Sequence, residues 1–323
     1  MNISVIIPSH NRSDALALTL ARLSEQQFNE KWEVIVINNN CTDDTNDVVN
    51  EWQQNFPVPL HLVQEEKPGA AAARNAGARM AAGEYLVFID NDILVEPDFL
   101  QSHLRGLQEN PNCWIVGAIA NLPEQENLPL GLFRKSLTRA DLTTNVRESL
   151  LFTGANSSLP RRDFEKVNGF DENFHVASGE DQEMAMRASK QLGIKTLYAP
   201  KIVGIHNDWA GWTFEDFCFR QRLYARTDFF LWQKYGDEHP RLKMVLESFP
   251  ADWQNDSINL LFRKQLKSFL GSAIPQSVLL NTCNLLEKST YLRPLLWQFY
   301  KLRLAGAVNQ GLKEGREHFS PKA

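Results

Sequence analysis

The sequence predicts an α/β fold in which a mostly parallel sheet is sandwiched by helices, followed by an α-helical C-terminal extension. Over the first two hundred residues, short β-branched runs alternate with longer stretches of helical periodicity. Each run is closed by Pro, Gly, Asn or Asp. Beyond His206 the apolar spacing becomes three and four throughout, the signature of helices that bury one face.

Taken in order, Val5 to Ile7, Val34 to Ile37, Leu60 to Val63 and Tyr85 to Ile89 read as strands. Between the first two, Leu16, Leu20 and Leu23 recur at helical spacing, with Ser13 expected as N-cap and Asp14 in the favourable first turn. A strand–helix–strand unit of this length favours parallel pairing with a right-handed crossover. Trp114 to Ile119 and Lys195 to Ala199 extend the sheet, and the stretch from Asn121 to Asn145 reads as a loop with helical pieces, of the kind that serves as a lid. In the tail, Phe214, Phe217, Cys218 and Gln221 share one face, and Ile258, Leu261, Phe262, Leu266, Phe269 and Leu270 form a second periodic set. The boundary between sheet domain and tail is expected near Tyr235 to Pro240.

Composition bounds the function. At 323 residues the chain makes one large domain or two smaller ones, and a net charge of −5 with 10% aromatic residues excludes a disordered chain or a basic nucleic-acid coat. No nucleic-acid partner is therefore expected. Cys41, Cys113, Cys218 and Cys283 are far apart without a CxxC pair, so neither a zinc ribbon nor a disulfide scaffold is supported, and a reducing compartment is the simplest reading. The chain opens on a strand pattern rather than a secretory signal. No apolar run approaches the roughly 18 residues that span a bilayer. The expected location is cytoplasmic, peripheral at most at the inner face of the membrane.

Three segments carry chemistry. Asp90-Asn91-Asp92 leaves the end of a strand with carboxylates at i and i+2, which can converge on one hard divalent cation while a diphosphate supplies the other oxygens. The carboxyl edge of such a sheet is also where open α/β folds bind ligands. The alternative is a polar turn. Lys67 to Gly77 places two bases and two glycines around a small-residue helix start, suited to phosphate, or to a helix packed closely on the sheet. Phe152-Thr153-Gly154-Ala155-Asn156, followed by Gly179-Glu180-Asp181-Gln182-Glu183, forms a second acidic site, or a set of carboxylates that complements a helix N-terminus.

With Ser4 to Arg12, Asn38 to Thr45 and the three segments above in this order, residues 1 to 210 resemble the family 2 glycosyltransferases, nucleotide-sugar enzymes of the GT-A fold. The resemblance implies that Pro8, Asn11 and Arg12 line the nucleotide end, with Asn38 and Asn39 near the base. Lys67, Arg74, Asn75 and Gly77 would shape the diphosphate side. Asp90 and Asp92 would hold Mn2+ or Mg2+, with His206 placed near the metal. Asp181 would be the general base of an inverting reaction, and Glu180 would orient the acceptor or the base.

One departure bears on the donor. Where the family usually has an acidic residue followed by Gly-Ser-Thr-Asp, this chain reads Asn38-Asn39-Asn40-Cys41-Thr42-Asp43. A UDP-sugar is the family default, and the departure leaves other bases open. The implied division is a catalytic domain over residues 1–235, with a donor half to about 120 and an acceptor half to 235, and a helical extension over 236–323.

The implied acceptor is a saccharide or a lipid-linked saccharide. Two other classes stand beside this reading. A sugar nucleotidyltransferase would carry a Gly-rich loop after the first strand, where Pro8-Ser9-His10-Asn11-Arg12 stands instead. A degenerate sugar-nucleotide-binding protein is the other. In the tail, Leu295, Leu296, Phe299 and Leu302 beside Arg293, Lys301 and Arg303 form a stripe that would either meet an anionic membrane or pack internally. Trp209 and Trp212 offer aromatic faces to an acceptor, or anchor the tail.

Overall fold

The computed structural model describes residues 2–122, 145–149, 151–174, 179–207, 213–236 and 242–319. They fall into two compact units, the first ending at 207 and the second beginning at 213. Most of the expected lid, and both Trp209 and Trp212, lie outside the described residues.

The first unit runs β1 (Ile3–Ser9), α1 (Ser13–Ser24), β2 (Trp32–Asn38), α2 (Thr45–Gln53), β3 (Leu60–Gln64), α3 (Ala70–Met80), β4 (Tyr85–Ile89), β5 (Ile93–Val95), α4 (Phe99–Glu109), β6 (Cys113–Asn121), β7 (Arg147–Ser149), β8 (Asn156–Pro160), α5 (Arg161–Lys166), α6 (Glu180–Leu192) and β9 (Lys195–His206). The sheet order is β3-β2-β1-β4-β8-β6-β9-β5, with β7 also paired to β9. β1 to β4 are mutually parallel, β6 and β9 run the same way, and β5, β7 and β8 run against them.

Both faces of the central strands are buried, which is why they read as continuous apolar runs. Ile3, Val5 and Ile7 of β1 point to one side, into a core with Leu16, Leu20 and Leu23 of α1 and Leu100 and Leu104 of α4. Ile6, Ile35 and Ile37 point to the other, against the alanines of α3 and against Phe88, Phe164 and Phe170. Small residues on α3 let its backbone approach the sheet. A Cβ on Gly77 would lie 2.6 Å from Ile6 Cγ2 and 2.7 Å from Ile37 Cδ1.

The start of α1 differs from expectation. Arg12, not Ser13, is the N-cap and sits in the left-handed region (φ 67°), as does Asn11 (φ 64°). Ser13 is already helical, and its N–H is taken by Asp43 Oδ2 at 2.8 Å. Asp43 also accepts the Thr45 hydroxyl at 2.5 Å, so one carboxylate from the β2–α2 loop serves the first turns of both α1 and α2. Burial alone would raise the Asp43 carboxyl, but hydrogen bonds from Thr45 and Ser13 prevail and hold it below its usual value. Asp14 occupies the first turn as expected.

β8 was not legible as a strand, because Asn156-Ser157-Ser158 is polar yet fully buried. Its polar groups meet partners inside. Asn156 Nδ2 donates to the carbonyls of Ala118 (2.8 Å) and Ile202 (3.0 Å), and its Oδ1 lies 3.0 Å from His103 Nε2. An amide oxygen only accepts, so Nε2 carries the proton and Nδ1 is left to the Ser158 hydroxyl at 2.8 Å. Burial pushes His103 down to about 4, which keeps the ring neutral. The Asn156 amide sits where the β6 register shifts between Gly117 and Ala118, and a Cβ on Gly117 would lie 2.3 Å from it. Past this bulge β9 continues to His206, beyond the expected Ala199.

The second unit is helical: α7 (Phe214–Tyr235), α8 (Leu242–Leu246), α9 (Ile258–Leu270), α10 (Ala273–Leu286), a 3-10 turn (Thr290–Leu292) and α11 (Arg293–Phe319). α7 opens with a reciprocal Thr213–Asp216 capping box. It then packs on α11, with the Phe214 and Tyr300 rings stacked at 3.6 Å. Gly311 and Gly315 permit the close approach, since a Cβ at either would lie 2.0 Å from the Arg222 carbonyl or 2.4 Å from that of Arg226. This corrects the expected boundary at 235, because α7 belongs by packing to the helical unit.

The expected membrane stripe on α11 is divided. Leu296 is fully buried and Arg303 is buried against Glu215 and Gln276, whereas Leu295 and Leu302 are exposed. No helix among the described residues is long and apolar enough to cross a membrane.

The Gly77 contact makes a measurable claim. Gly77→Ala gains at most about 1 kcal/mol of helix propensity, whereas overpacking costs about 1–3 kcal/mol. The expected outcome is a lower urea midpoint. An unchanged or raised midpoint would show that Ile6 and Ile37 give way freely.

Candidate active site

The loops at the carboxyl edge of β1, β2 and β4 build the site. After β4 the chain turns through Asp90-Asn91-Asp92 into β5. Asn91 is buried, donating from Nδ2 to Ser9 Oγ (3.0 Å) and to the Asn11 carbonyl (3.0 Å), while its own carbonyl accepts the Thr19 hydroxyl at 3.0 Å. The middle residue thus pins the turn to the β1–α1 loop, and the flanking carboxylates take separate partners. Asp92 Oδ2 accepts Arg12 Nη1 at 2.8 Å, and its Oδ1 lies 3.7 Å from His206 Nε2. Sheet pairing fixes that last contact, because Ile93 stands opposite His206 and the Asn207 N–H donates to the Asp92 carbonyl at 2.8 Å.

Asp90 faces the other way. Its Oδ1 accepts Arg74 Nη2 at 2.8 Å, and Arg74 Nη1 donates to Glu180 Oε1 at 2.9 Å. The guanidinium is buried, with Nε unpaired among the described residues. Gly154 makes room for it: a Cβ there would lie 2.6 Å from Arg74 Cζ. The Gly154 N–H in turn donates to Asp181 Oδ2 at 3.2 Å, and the Gln182 N–H to Asp181 Oδ1 at 2.7 Å. Arg74 therefore links the Asp-Asn-Asp turn to the first turn of α6, where Glu180 and Asp181 stand.

Burial governs the charges here. It pushes the Glu180 carboxyl up, to about 7, reinforced by the neighbouring Asp181 and opposed by Arg74. It raises Asp181 as well, against Arg74 and the two backbone donors. For Arg74 burial pulls downward, but Asp90 and Glu180 prevail and hold it firmly protonated.

Other expected donor residues serve the scaffold in this structure. Asn39 Nδ2 donates to the carbonyls of Glu65 (2.8 Å) and Lys67 (2.7 Å), and its Oδ1 accepts the Gly69 N–H at 2.8 Å, clamping the loop that enters α3. Asn38 accepts the Cys41 N–H at 2.8 Å and donates to Asn46 at 2.7 Å. An aspartate has no donors for these partners, a physical reason for asparagine at both positions. Asn75 holds both the N–H and the carbonyl of Phe170 at 2.9 Å and donates to Glu172, which also binds Lys67 Nζ at 2.7 Å. Asn11 Oδ1 accepts the Thr42 N–H at 2.7 Å, Pro8 lies within β1, and Gly77 is a packing position. The anchoring role of Asn91 was hidden in the sequence, since the middle residue of the turn carries no signal of its own.

Among the described residues no group of three or more His, Cys, Asp and Glu is arranged to hold a metal ion by itself. Asp92 and His206 nevertheless offer a carboxylate oxygen and an imidazole nitrogen across 3.7 Å. That donor pair suits Mn2+ or Mg2+ when substrate phosphates complete the shell, with imidazole favouring the transition metal.

The sequence profile described as Glycosyl transferase family 2 matches residues 4–167, which includes the Asp-Asn-Asp turn, Arg74 and Gly154. The chain belongs to this family. A profile described as the N-terminal domain of galactosyltransferase matches residues 140–200. Validoxylamine A glucosyltransferase of Streptomyces hygroscopicus subsp. jinggangensis (strain 5008) is 30% identical over 213 residues, covering 57% of this chain and 50% of that protein. The poly(ribitol-phosphate) beta-N-acetylglucosaminyltransferase TarS of Staphylococcus aureus (strain MW2) is 23% identical over 233 residues, covering 70% of this chain and 40% of TarS. The chain thus spans half or less of the length of these two relatives.

Among solved structures, the mannosyltransferase PcManGT from Pyrobaculum calidifontis, in complex with GDP-Man and Mn2+, superposes with a TM-score of 0.61 at 21% identity, over 96% of this chain and 86% of that one. S. aureus TarS 1–349 in complex with UDP-GlcNAc gives 0.53 at 19%, over 98% and 92%. These likenesses establish the GT-A fold of the family 2 chain.

Removing the buried cation tests the linkage. Arg74→Met leaves Asp90 and Glu180 uncompensated, and breaking one side of a buried ion pair costs about 3–5 kcal/mol. Glu180 already takes up a proton more readily than an exposed glutamate, so the loss should shrink as pH falls and that carboxylate is neutralised. Urea unfolding at neutral and at mildly acidic pH measures both parts; a pH-independent loss would sever Glu180 from the effect.

Proposed function

We propose that this family 2 member is an inverting glycosyltransferase that moves a sugar from a nucleotide-diphospho-sugar to a hydroxyl of a saccharide or lipid-linked saccharide. The observation that carries the reading is the buried Arg74, bonded at once to Asp90 and to Glu180. It ties a donor-side carboxylate motif to an acidic helix start, so the two halves of a displacement reaction share one site.

In this reading Asp92 and His206 would hold the divalent cation, with Asp90 turned away to Arg74, and Arg12 orients Asp92. The cation, when bound, neutralises charge that grows on the departing nucleoside diphosphate. Asp181 accepts the acceptor hydroxyl proton while that oxygen attacks the anomeric carbon from the face opposite the diphosphate. The Gly154 and Gln182 N–H groups fix the direction of its carboxylate. Glu180, held by Arg74, positions the helix start that carries the base. UDP-sugars are the first donors to test. GDP-sugars form the second arm, since the Asn38 and Asn39 amides are engaged by the loop and leave base identity to other contacts.

Product analysis with UDP- and GDP-sugar panels in Mn2+ and Mg2+ tests the whole reading. Inversion at the anomeric carbon and loss of turnover in excess chelator are expected; retention, or full activity without metal, would overturn it. Asp92→Asn should weaken metal-dependent donor binding by about tenfold or more. Asp181→Asn should instead lower kcat by about 10²–10⁴ with donor KM nearly unchanged. Because Asp181 must be unprotonated to act and its carboxyl is raised, kcat/KM should fall toward acid with a limb above the ordinary aspartate range. An acid limb at or below that range would remove Asp181 from the role.

A further inference from the structure

The guanidinium on Asp92 is delivered by an unusual backbone. Asn11 (φ 64°) and Arg12 (φ 67°) stand side by side in the left-handed region, which residues other than glycine enter at a cost and then mostly singly. Such a conformation persists where neighbours over-determine it. Here the Asn11 N–H donates to Cys41 Sγ at 3.1 Å, and the Asn11 Oδ1 accepts the Thr42 N–H at 2.7 Å. The Asn11 carbonyl accepts Asn91 Nδ2 at 3.0 Å, and the Arg12 carbonyl accepts the Leu16 N–H at 3.1 Å. The Asp-Asn-Asp turn therefore grips both parts of this loop: Asn91 holds the backbone just before Arg12, and Asp92 receives the Arg12 side chain.

Capping α1 does not call for an arginine. The Arg12 side chain makes no cap hydrogen bond, and asparagine or glycine suits a left-handed cap better. What the side chain does is reach from a position 39% exposed to a carboxylate only 6% exposed, meeting Asp92 Oδ2 at 2.8 Å. His206 Nε2 stands 3.7 Å from the other oxygen, and Asp90, the second carboxylate of the turn, is engaged by Arg74 at 2.8 Å. Arginine keeps its proton at every working pH. A divalent cation brought to Asp92 would therefore stand beside a permanent positive charge, in a place with little water to screen the repulsion. A diphosphate supplies the missing negative charge, together with oxygens that a guanidinium binds well.

Resting on the metal assignment proposed above, we propose that Arg12 couples the cation to the diphosphate. Its charge weakens divalent-metal binding at Asp92 and His206 until a nucleoside diphosphate is present, so that the two bind as a pair. Arg12 is in this role a specificity-determining residue: it selects the metal–diphosphate pair over the metal alone.

The test measures Mn2+ binding to the full chain from the free-ion electron paramagnetic resonance signal, without nucleotide and with saturating UDP or GDP, after subtracting the metal that nucleotide holds in solution. Arg12→Asn removes the charge and suits the left-handed backbone, so the melting temperature should be retained. Its nucleotide-free affinity for Mn2+ should rise by about tenfold or more, and the gain on adding nucleotide should shrink by a similar factor. Arg12→Lys keeps a positive charge and should stay within about threefold of the unsubstituted chain. Should Arg12→Asn fail to fold, Arg12→Gln provides the same readout, with the same rise expected. Unchanged or weakened Mn2+ affinity in either folded variant overturns the proposal, because a residue that merely orients Asp92 loses metal when it is removed. Asp92→Asn separates the coupling from the metal assignment. If it abolishes Mn2+ binding while the uncharged Arg12 variants bind no tighter than the unsubstituted chain, the coupling falls and the assignment stands. If Asp92→Asn binds Mn2+ as well as the unsubstituted chain, or that chain binds none with either nucleotide, both fall.

Discussion

A buried guanidinium is costly unless its charge is balanced, and the first unit is built around one whose two Nη groups each meet a carboxylate. Arg74 leaves the core face of α3 with Asp90 on one side and Glu180 on the other. Glu180 is buried with the cation and Asp90 is part-exposed, and together they make the buried charge tolerable. The sheet side of this balance depends on where β4 ends, and the other side on where α6 begins. A shift in either element would strand a charge. Gly154 belongs to the same constraint, since any side chain there would occupy the space of the guanidinium.

Around that cation, asparagine does the work of holding irregular backbone. Loops at a carboxyl edge expose N–H and C=O groups that no strand pairs, and a buried group of either kind must find a partner. Asn39, Asn75, Asn91 and Asn156 each reach two or more such groups or their side-chain neighbours, offering donor and acceptor from one planar amide. Asn156 serves the sheet itself, fastening the bulge beyond which β9 carries His206 to Asp92. These amides tie the loops of the site to one another and to the sheet.

Elements governed by periodicity were legible in the sequence, whereas those governed by partners were not. β1, β2, β3 and β4 declared themselves through branched apolar runs. β8 did not, because Asn156-Ser157-Ser158 is stabilised by His103 and by carbonyls of two other strands, none of which has a fixed spacing from it. The cap of α1 was misread for the same reason: local sequence offered Ser13, and the structure supplies Asp43 from thirty residues away. Asn11, Asn38, Asn39, Asn75 and Gly77 stood in the expected segments, yet their side chains, or in Gly77 the lack of one, serve loop and helix packing. Residue type indicated the segments; the contacts of each side chain are set by tertiary partners that the local sequence does not name. The boundary at 235 failed because turn residues after Tyr235 resemble a linker, while glycines on α11, far along the chain, determine where α7 packs.

The carboxylates of the site stand in different environments. Asp92 is given to Arg12 and faces an imidazole, an arrangement for sharing positive charge. Asp181 receives only backbone N–H groups among the described residues and lies where burial raises its affinity for a proton. The same desolvation that makes Asp181 a better proton acceptor disfavours its charged form in the folded chain. That tension is relieved only as far as Arg74 reaches, and Arg74 bonds Glu180 instead of Asp181. Glu180 takes the direct ion pair and leaves its neighbour attracted but unbonded. A direct arginine contact would lower the basicity of Asp181, so in the proposed reaction the residue assigned as base keeps more of its proton affinity than an ion-paired carboxylate would.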